Sequence, residues 1–228
     1  MLTDRLHQVQ HRIVQACQHA NRDPNDVTLL AVSKFHSAEA IAELSAIGQM
    51  DFGENYLQEM LGKIHQLANP LLRWHFIGPL QSNKCKEVAL YADTLHSLDR
   101  LKLVEPLARY RPEQKDPLKV FLQVNIDDEQ SKSGVKHWSE LATLAEQVLK
   151  YDRLQLQGLM AIPAPSHTVE KQRVAFAQLR QLKEKLAEHL AYPLPELSMG
   201  MSADLEAAIY EGATIVRIGT DIFGMRVS

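Results

Sequence analysis

KVFLQVNI, residues Lys119–Ile126, decides the fold. Five of its eight residues are apolar, three of them the β-branched Val120, Val124 and Ile126, and it is too short for a helix. Such a run reads as a strand buried on both faces, the habit of parallel sheets. Working outward, the same alternation repeats. Downstream, Trp138, Leu141, Leu144, Ala145 and Val148 line a helix face, and LQLQGLMAI (Leu154–Ile162) is the next strand. A long helix follows, with Phe176, Leu179, Leu182, Leu186 and Leu190 on one side and Lys183, Glu184, Lys185 and Glu188 outside. ELSMG (Glu196–Gly200), a helix over Ser202–Glu211 and TIVRIG (Thr214–Gly219) complete the C-terminal half. Upstream lie the strands TLHSL (Thr94–Leu98), RWHFIG (Arg73–Gly78), MDFGEN (Met50–Asn55) and VTLLAVSK (Val27–Lys34). Asp99 is a cap candidate for a helix bearing Val104, Leu107 and Ala108, and Ser82–Ala89 reads as a short helix. Ser37 can cap a helix carrying Ile41, Leu44 and Ile47. A first helix, with Leu6, Val9, Ile13, Ala16 and Ala20 at helical spacing behind a Thr3 cap, precedes them all.

Eight strands alternating with helices imply a parallel sheet with right-handed crossovers. In 228 residues they predict a (β/α)₈ TIM barrel with an extra N-terminal helix, slightly compact against the usual length of roughly 250. The alternative, an open doubly wound sheet, is weakened by the absence of any GxGxxG. YRPEQKDP (Tyr110–Pro117) is a surface loop rather than a domain boundary, so residues 1–228 are expected to form one domain. Lys plus Arg is 25 and Asp plus Glu is 28, a net charge of −3 that offers no basic excess for nucleic acid. No apolar run approaches the roughly 18 residues of a membrane helix, and the N-terminus has no signal-peptide core. Cys17 and Cys85 form no metal or disulfide pattern. A cytoplasmic protein without nucleic-acid or membrane partners is expected.

In such a barrel the site lies at the C-terminal ends of the strands. Lys34 ends the run LLAVS there. It is either a surface lysine or an amine suited to forming a Schiff base with an aldehyde cofactor or a carbonyl substrate. SMGMS (Ser198–Ser202) and RIGT (Arg217–Thr220) follow strands seven and eight, the common phosphate site of barrels. Ser202 can equally be an N-cap and Gly219 a turn residue. Strand alternation turns Arg217 toward the barrel interior, where it wants an anion, a ring nitrogen or an internal salt bridge. GPLQSNK (Gly78–Lys84) lacks the glycine of a P-loop, and SMGMS is not a nucleophile elbow. His7, His11 and His19 read as solvated surface residues with no metal-ligand set beside them. His75 is a core or rim histidine, Trp74 and Trp138 are packing residues, and Lys132 is a loop lysine within reach of an anion at the fifth strand's exit.

The segments AVSK (Ala31–Lys34), FGENY with QE (Phe52–Glu59), WHFIGPLQSNK (Trp74–Lys84), QVNI with SKSG (Gln123–Gly134), GLMAIP (Gly158–Pro163), LSMGMSADLEAAI (Leu197–Ile209) and VRIGTDIFG (Val216–Gly224) together resemble the pyridoxal phosphate homeostasis protein family. That family is similar to the barrel domain of alanine racemase, the fold-type III class. The resemblance implies pyridoxal 5'-phosphate (PLP) as cofactor, with Lys34 forming the Schiff base. It assigns Ser202, Gly219 and Thr220 to the phosphate, Arg217 to the pyridine nitrogen, and Asn55 and Met199 to the pocket lining. Many members carry a second lysine two residues after the first; this chain has Phe35–His36 there.

The resemblance further implies a carrier in PLP and vitamin B6 homeostasis, with effects on amino-acid balance and no established enzymatic activity. PLP-dependent apo-enzymes are the expected recipients, and a monomer is expected. An arginine against the ring nitrogen makes the ring a poorer electron sink, and racemases of this class take their opposite acid–base group from a second domain. The chain ends at Ser228, directly after the eighth unit. A weak amino-acid racemase, with Tyr56 as a stand-in acid–base group, is the alternative. A barrel enzyme using Lys34 in an aldolase-like Schiff base is a third reading.

Overall fold

The computed structural model describes residues 1–127, 133–166 and 168–224. Eight strands close into a barrel in chain order. They are β1 (Thr28–Val32), β2 (Asp51–Glu54), β3 (Arg73–Phe76) and β4 (Thr94–Leu98). Then come β5 (Leu118–Val124), β6 (Leu154–Ala161), β7 (Glu196–Ser198) and β8 (Ile215–Ile218). Every neighbouring pair is parallel, and β8 closes on β1 with Arg217 opposite Leu30 and Ile218 opposite Ala31. All eight strands read from the sequence are present; their helix-facing residues are largely apolar, while the inward-facing ones include polar side chains.

The outer layer is α1 (Leu2–His19), α2 (Ala38–Ser45), α3 (Leu57–Leu67), α4 (Cys85–Tyr91), α5 (Val104–Tyr110), α6 (Trp138–Val148), α7 (Val169–Leu190), α8 (Leu205–Tyr210) and α9 (Thr220–Phe223). The extra helix α1 packs on α2, α8 and α9, so it is part of the wall, outside the β8–β1 seam. Its face Leu6, Val9, Ile13 and Ala16 is buried as its spacing requires.

Local details differ from the sequence reading. Met1 occupies the N-cap of α1, so Thr3 lies inside the helix. Asp99 caps nothing; its carboxylate meets Arg100, and a short 3₁₀ turn over 101–103 leads into α5. The helix expected from Ser202 begins only at Leu205, with Asp204 at its N-cap. Ser37 does cap α2, accepting from Ala40 N–H at 3.4 Å. Helix α3 was not read at all, because Lys63 joins Leu57 and Met60 on its buried face and interrupts the apolar stripe.

The main apolar core lies between strands and helices and includes both buried cysteines. Inside the barrel the apolar plug is small: Leu30, Phe121, Met160 and Ile215, with Ile77 against them. The rest of the interior carries polar side chains, among them His75, His96, Ser198 and Arg217. No described helix is long and apolar enough to cross a membrane.

Candidate functional site

The C-terminal ends of β7, β8, β1 and β2 are four successive neighbours around the barrel. They carry, in that order, Met199 with Ser202, then Arg217 with Gly219 and Thr220, then Lys34, then Asn55. Closure of the barrel thus brings residues from the two ends of the chain onto one arc of one mouth. A cleft of about 210 Å³, lined by Asn55, Ile77, Gln123 and Asn125 among others, continues that arc over β2 to β6.

Lys34 stands two residues beyond the end of β1, half-buried, in a turn. The turn is tightly held. Phe35 adopts φ 66°, a left-handed conformation that costs a bulky residue on the order of 1–3 kcal/mol unless its surroundings impose it. Its N–H donates to Glu59 Oε2 at 2.8 Å, and His36 N–H donates to Ser33 O at 3.0 Å. His36 stacks on Phe223 with ring centroids 4.7 Å apart. Beneath the turn, the buried Lys63 Nζ donates to Ser33 O at 2.8 Å and to Glu54 Oε1 at 2.6 Å. Ser33 Oγ donates to the same Glu54 oxygen at 2.6 Å. Burial pushes the Glu54 carboxyl up from the usual range, against the hydrogen bonds from Lys63 and Ser33. Helix α3 therefore clamps the Lys34 turn from below.

The two turns after β7 and β8 are joined by Arg12 of α1. Its guanidinium donates to Ser202 O at 2.9 Å, to Glu206 Oε1 at 2.8 Å and to Asp221 Oδ2 at 2.6 Å. Gly200 has φ 94° and a Cβ there would lie 2.5 Å from Ala208 Cβ, so this turn requires glycine. Gly219 caps α9, whose first amides, those of Thr220 and Asp221, belong to the turn that a helix leaves without internal partners. Met201 N–H is already taken by Asp204 Oδ1 at 2.6 Å. Ser202 is half-buried in the turn before α8. The Met199 side chain is fully buried in the layer beneath the helices, which leaves its backbone, not its thioether, toward the mouth.

Arg217 points into the barrel and is 4% exposed. Its guanidinium donates to Ser198 Oγ at 2.7 Å and to Ala161 O at 2.9 Å. No carboxylate among the described residues forms an ion pair with it, so the internal salt bridge considered above does not occur there. Burial lowers its pKa to about 10, with the field of Asp204 working against that, and it remains a cation at neutral pH. Asn55 Oδ1 is buried without a hydrogen-bond partner, as is Glu54 Oε2. A buried cation with only neutral partners and an orphaned amide oxygen in one mouth are unfinished interactions. They fit a polar anionic ligand bearing its own hydrogen-bonding groups, and the residue set fits PLP.

His75 and His96 lie inside the barrel, and Trp74 packs on Phe52 as a core residue. Trp138 packs under Lys185, whose Nζ is 4.1 Å from its ring centroid. His7, His11 and His19 are exposed, and no group of potential metal ligands occurs among the described residues. Lys132 lies outside the described residues. Sequence reading missed Arg12, Glu59, Lys63 and His96, and placed Glu54 at a strand end without its partners. Only Lys63 left a signal, as the third member of an i, i+3, i+6 buried face in α3.

Residues 5–227 match the family model for the alanine racemase N-terminal domain. The pyridoxal phosphate homeostasis protein of Pseudomonas aeruginosa is 51% identical over 225 residues, which cover 99% of this chain and 96% of that protein. Its counterpart in Escherichia coli is 48% identical over 226 residues, covering 97% and 95%. The structure of PipY from Synechococcus elongatus with PLP bound superposes with TM-score 0.85 at 36% identity, covering 98% of this chain and all of that one. An alanine racemase from Clostridium difficile shares the fold, with TM-score 0.72 at 13% identity; the match covers 96% of this chain but 57% of the racemase.

Proposed function

The chain belongs to the pyridoxal phosphate homeostasis protein family, and from that premise we propose that it holds PLP at the β7–β8–β1–β2 mouth and takes part in vitamin B6 balance. The observation that carries this is the arc itself: a lysine amine, a buried arginine without a carboxylate partner, and two glycine turns on four adjacent strand ends. When bound, PLP supplies an aldehyde that an amine captures reversibly. Lys34 is the amine, and the clamp of Lys63 and Glu59 on its turn holds it at the rim. Ser202, Gly219 and Thr220 hold the phosphate. Arg217, a fixed donor with no proton to lose at neutral pH, faces the pyridine nitrogen and keeps it an acceptor. Asn55 and the backbone at Met199 line the pocket, with the Asn55 amide oxygen open to a donor. A donor-only group at the ring nitrogen favours retention over carbanion chemistry, which supports a carrier rather than an enzyme. Release to PLP-dependent apo-enzymes, action as a monomer and a cytoplasmic location belong to the same reading.

The test is an absorbance titration of the purified protein with PLP, wild type beside Lys34→Ala. The expected result is a new near-visible band in the wild type only, and, after borohydride, the corresponding mass fixed on Lys34. A wild type without a band overturns the proposal. The racemase alternative is decided by incubating the loaded protein with amino acids in deuterated water. Deuterium at Cα at a turnover above free PLP would make it an enzyme, and none is expected.

A further inference from the structure

Arg217 is the upper end of a hydrogen-bonded chain that runs down the barrel axis. Ser198 Oγ, which accepts from the guanidinium, lies 2.7 Å from His96 Nδ1. His96 Nε2 lies 2.9 Å from His75 Nδ1, and His75 Nε2 lies 3.1 Å from Asp51 Oδ1. The links come from β8, β7, β4, β3 and β2, so the chain crosses the barrel as it descends. His96 is completely buried, its ring stacked on Phe121 at 4.7 Å. The lower end meets a cavity of about 340 Å³ at the opposite mouth, lined by Asp51, Arg73, His75, Lys119 and Glu196 among others.

The chemistry of the two ends gives the chain a direction. An arginine can only donate, and an ionised aspartate can only accept. With both imidazoles neutral, one arrangement satisfies every contact. Arg217 donates to Ser198, the Ser198 hydroxyl to His96 Nδ1, His96 Nε2–H to His75 Nδ1, and His75 Nε2–H to Asp51. The opposite order would set a bare His75 nitrogen against a carboxylate. Burial above all, with the positive charge of Arg217 adding to it, pushes His96 well below the usual histidine range, in keeping with a neutral ring. Burial alone would raise Asp51, but hydrogen bonds from Arg73 and His75 hold it at about 2, in keeping with a carboxylate.

We propose that Ser198, His96 and His75 are positioning residues for Arg217. They form a one-directional relay that orients the guanidinium and ties the cofactor's mouth of the barrel to the Asp51 carboxylate at the base. The inference rests on the assignment of Arg217 to the cofactor ring. The groups that face His75 are Asp51 from β2, His96 from β4, Lys119 from β5 and Glu196 from β7, with Arg73 on its own strand held by Asp51. Asp93, Arg111 and Asp116 border the same cavity. His96 is faced by His75 and Arg217.

The test has one arm that needs no cofactor. Long-range ¹H–¹⁵N spectra of the cofactor-free protein at neutral pH report which ring nitrogen carries each hydrogen. The expected result is Nε2–H on both His75 and His96, and Nδ1–H on either overturns the relay whether or not PLP binds. The second arm compares His75→Ala and His75→Asn. Asparagine can present an acceptor where His75 Nδ1 stands but cannot titrate. His75→Ala is expected to weaken PLP retention about tenfold, the scale of one lost hydrogen bond to a charged network. His75→Asn is expected to restore retention. If His75→Ala keeps wild-type retention, or asparagine restores nothing, the relay has no role in holding Arg217. If the tautomers are as stated but Lys34 captures no PLP, the relay stands and the cofactor assignment fails.

Discussion

The two mouths of the barrel are both polar, but they are closed to different degrees; at the base the orphaned atom is Arg153 Nε, whose neighbour Nη2 donates to Pro112 O and Lys115 O. At the base, Asp51 receives Arg73 Nε at 2.7 Å and His75 at 3.1 Å. Arg111 donates to the carbonyls of Asp116, Ala89 and Ala92. At the opposite mouth, Asn55 Oδ1 is buried without a partner, and Arg217 has neutral acceptors only. The difference teaches how to tell structural from functional polarity. Groups whose bonds close within the chain lower the free energy of the fold, whereas groups left open at a mouth serve something that arrives. Substitutions at the base should therefore cost stability, and substitutions of open groups at the upper mouth should cost binding.

The largest expected effect tests the exception, the clamp under Lys34, which is closed yet lies at the open end. Lys63→Met strands the buried Glu54 and releases Ser33 O, and is expected to cost about 3–5 kcal/mol in a denaturant titration. A loss below about 1 kcal/mol would mean that Glu54 accepts a proton and needs no partner. At the base, Asp51→Asn is expected to cost about 2 kcal/mol at neutral pH. The sign follows from its depressed pKa. The contribution is complete above the ordinary value of 3.8 and is lost as pH falls toward about 2, so wild-type and variant stabilities should converge in that window. Parallel curves would break the pairing with Arg73 and His75. Ser37→Ala removes the cap at the far end of the Lys34 turn and should cost about 1 kcal/mol of thermal stability. The smallest effect sharpens the comparison most. Asn55→Ala removes an amide whose oxygen has no partner, so the expected stability change is under about 0.5 kcal/mol. Its PLP retention should nonetheless fall. A large stability loss without a binding loss would make that mouth structural as well.

Much of this was legible in the residues. TLHSL matches β4 at both ends, and the alternation around Arg217 correctly turned it inward. The candidate residues at the strand ends fall on one arc because loops begin where apolar runs stop. The clamp was not legible. A lysine buried on the inner face of α3 looks like a break in the apolar pattern until Glu54 and Ser33 are seen beside it. The start of α8 was misplaced for a related reason: Ser202 looks like a cap, but its carbonyl is engaged by Arg12 and the turn runs on to Asp204.

By itself the sequence determined the eight strands, their parallel order and the lysine and glycine turns at their ends. These follow from local rules: a strand face packed under helices is largely apolar, and a turn at positive φ favours glycine. Only the tertiary structure decided which polar groups are satisfied. His96 and Ser198 are 102 residues apart and meet only inside the closed barrel. A hydrogen bond depends on distance and direction in space, and no periodicity along the chain encodes them.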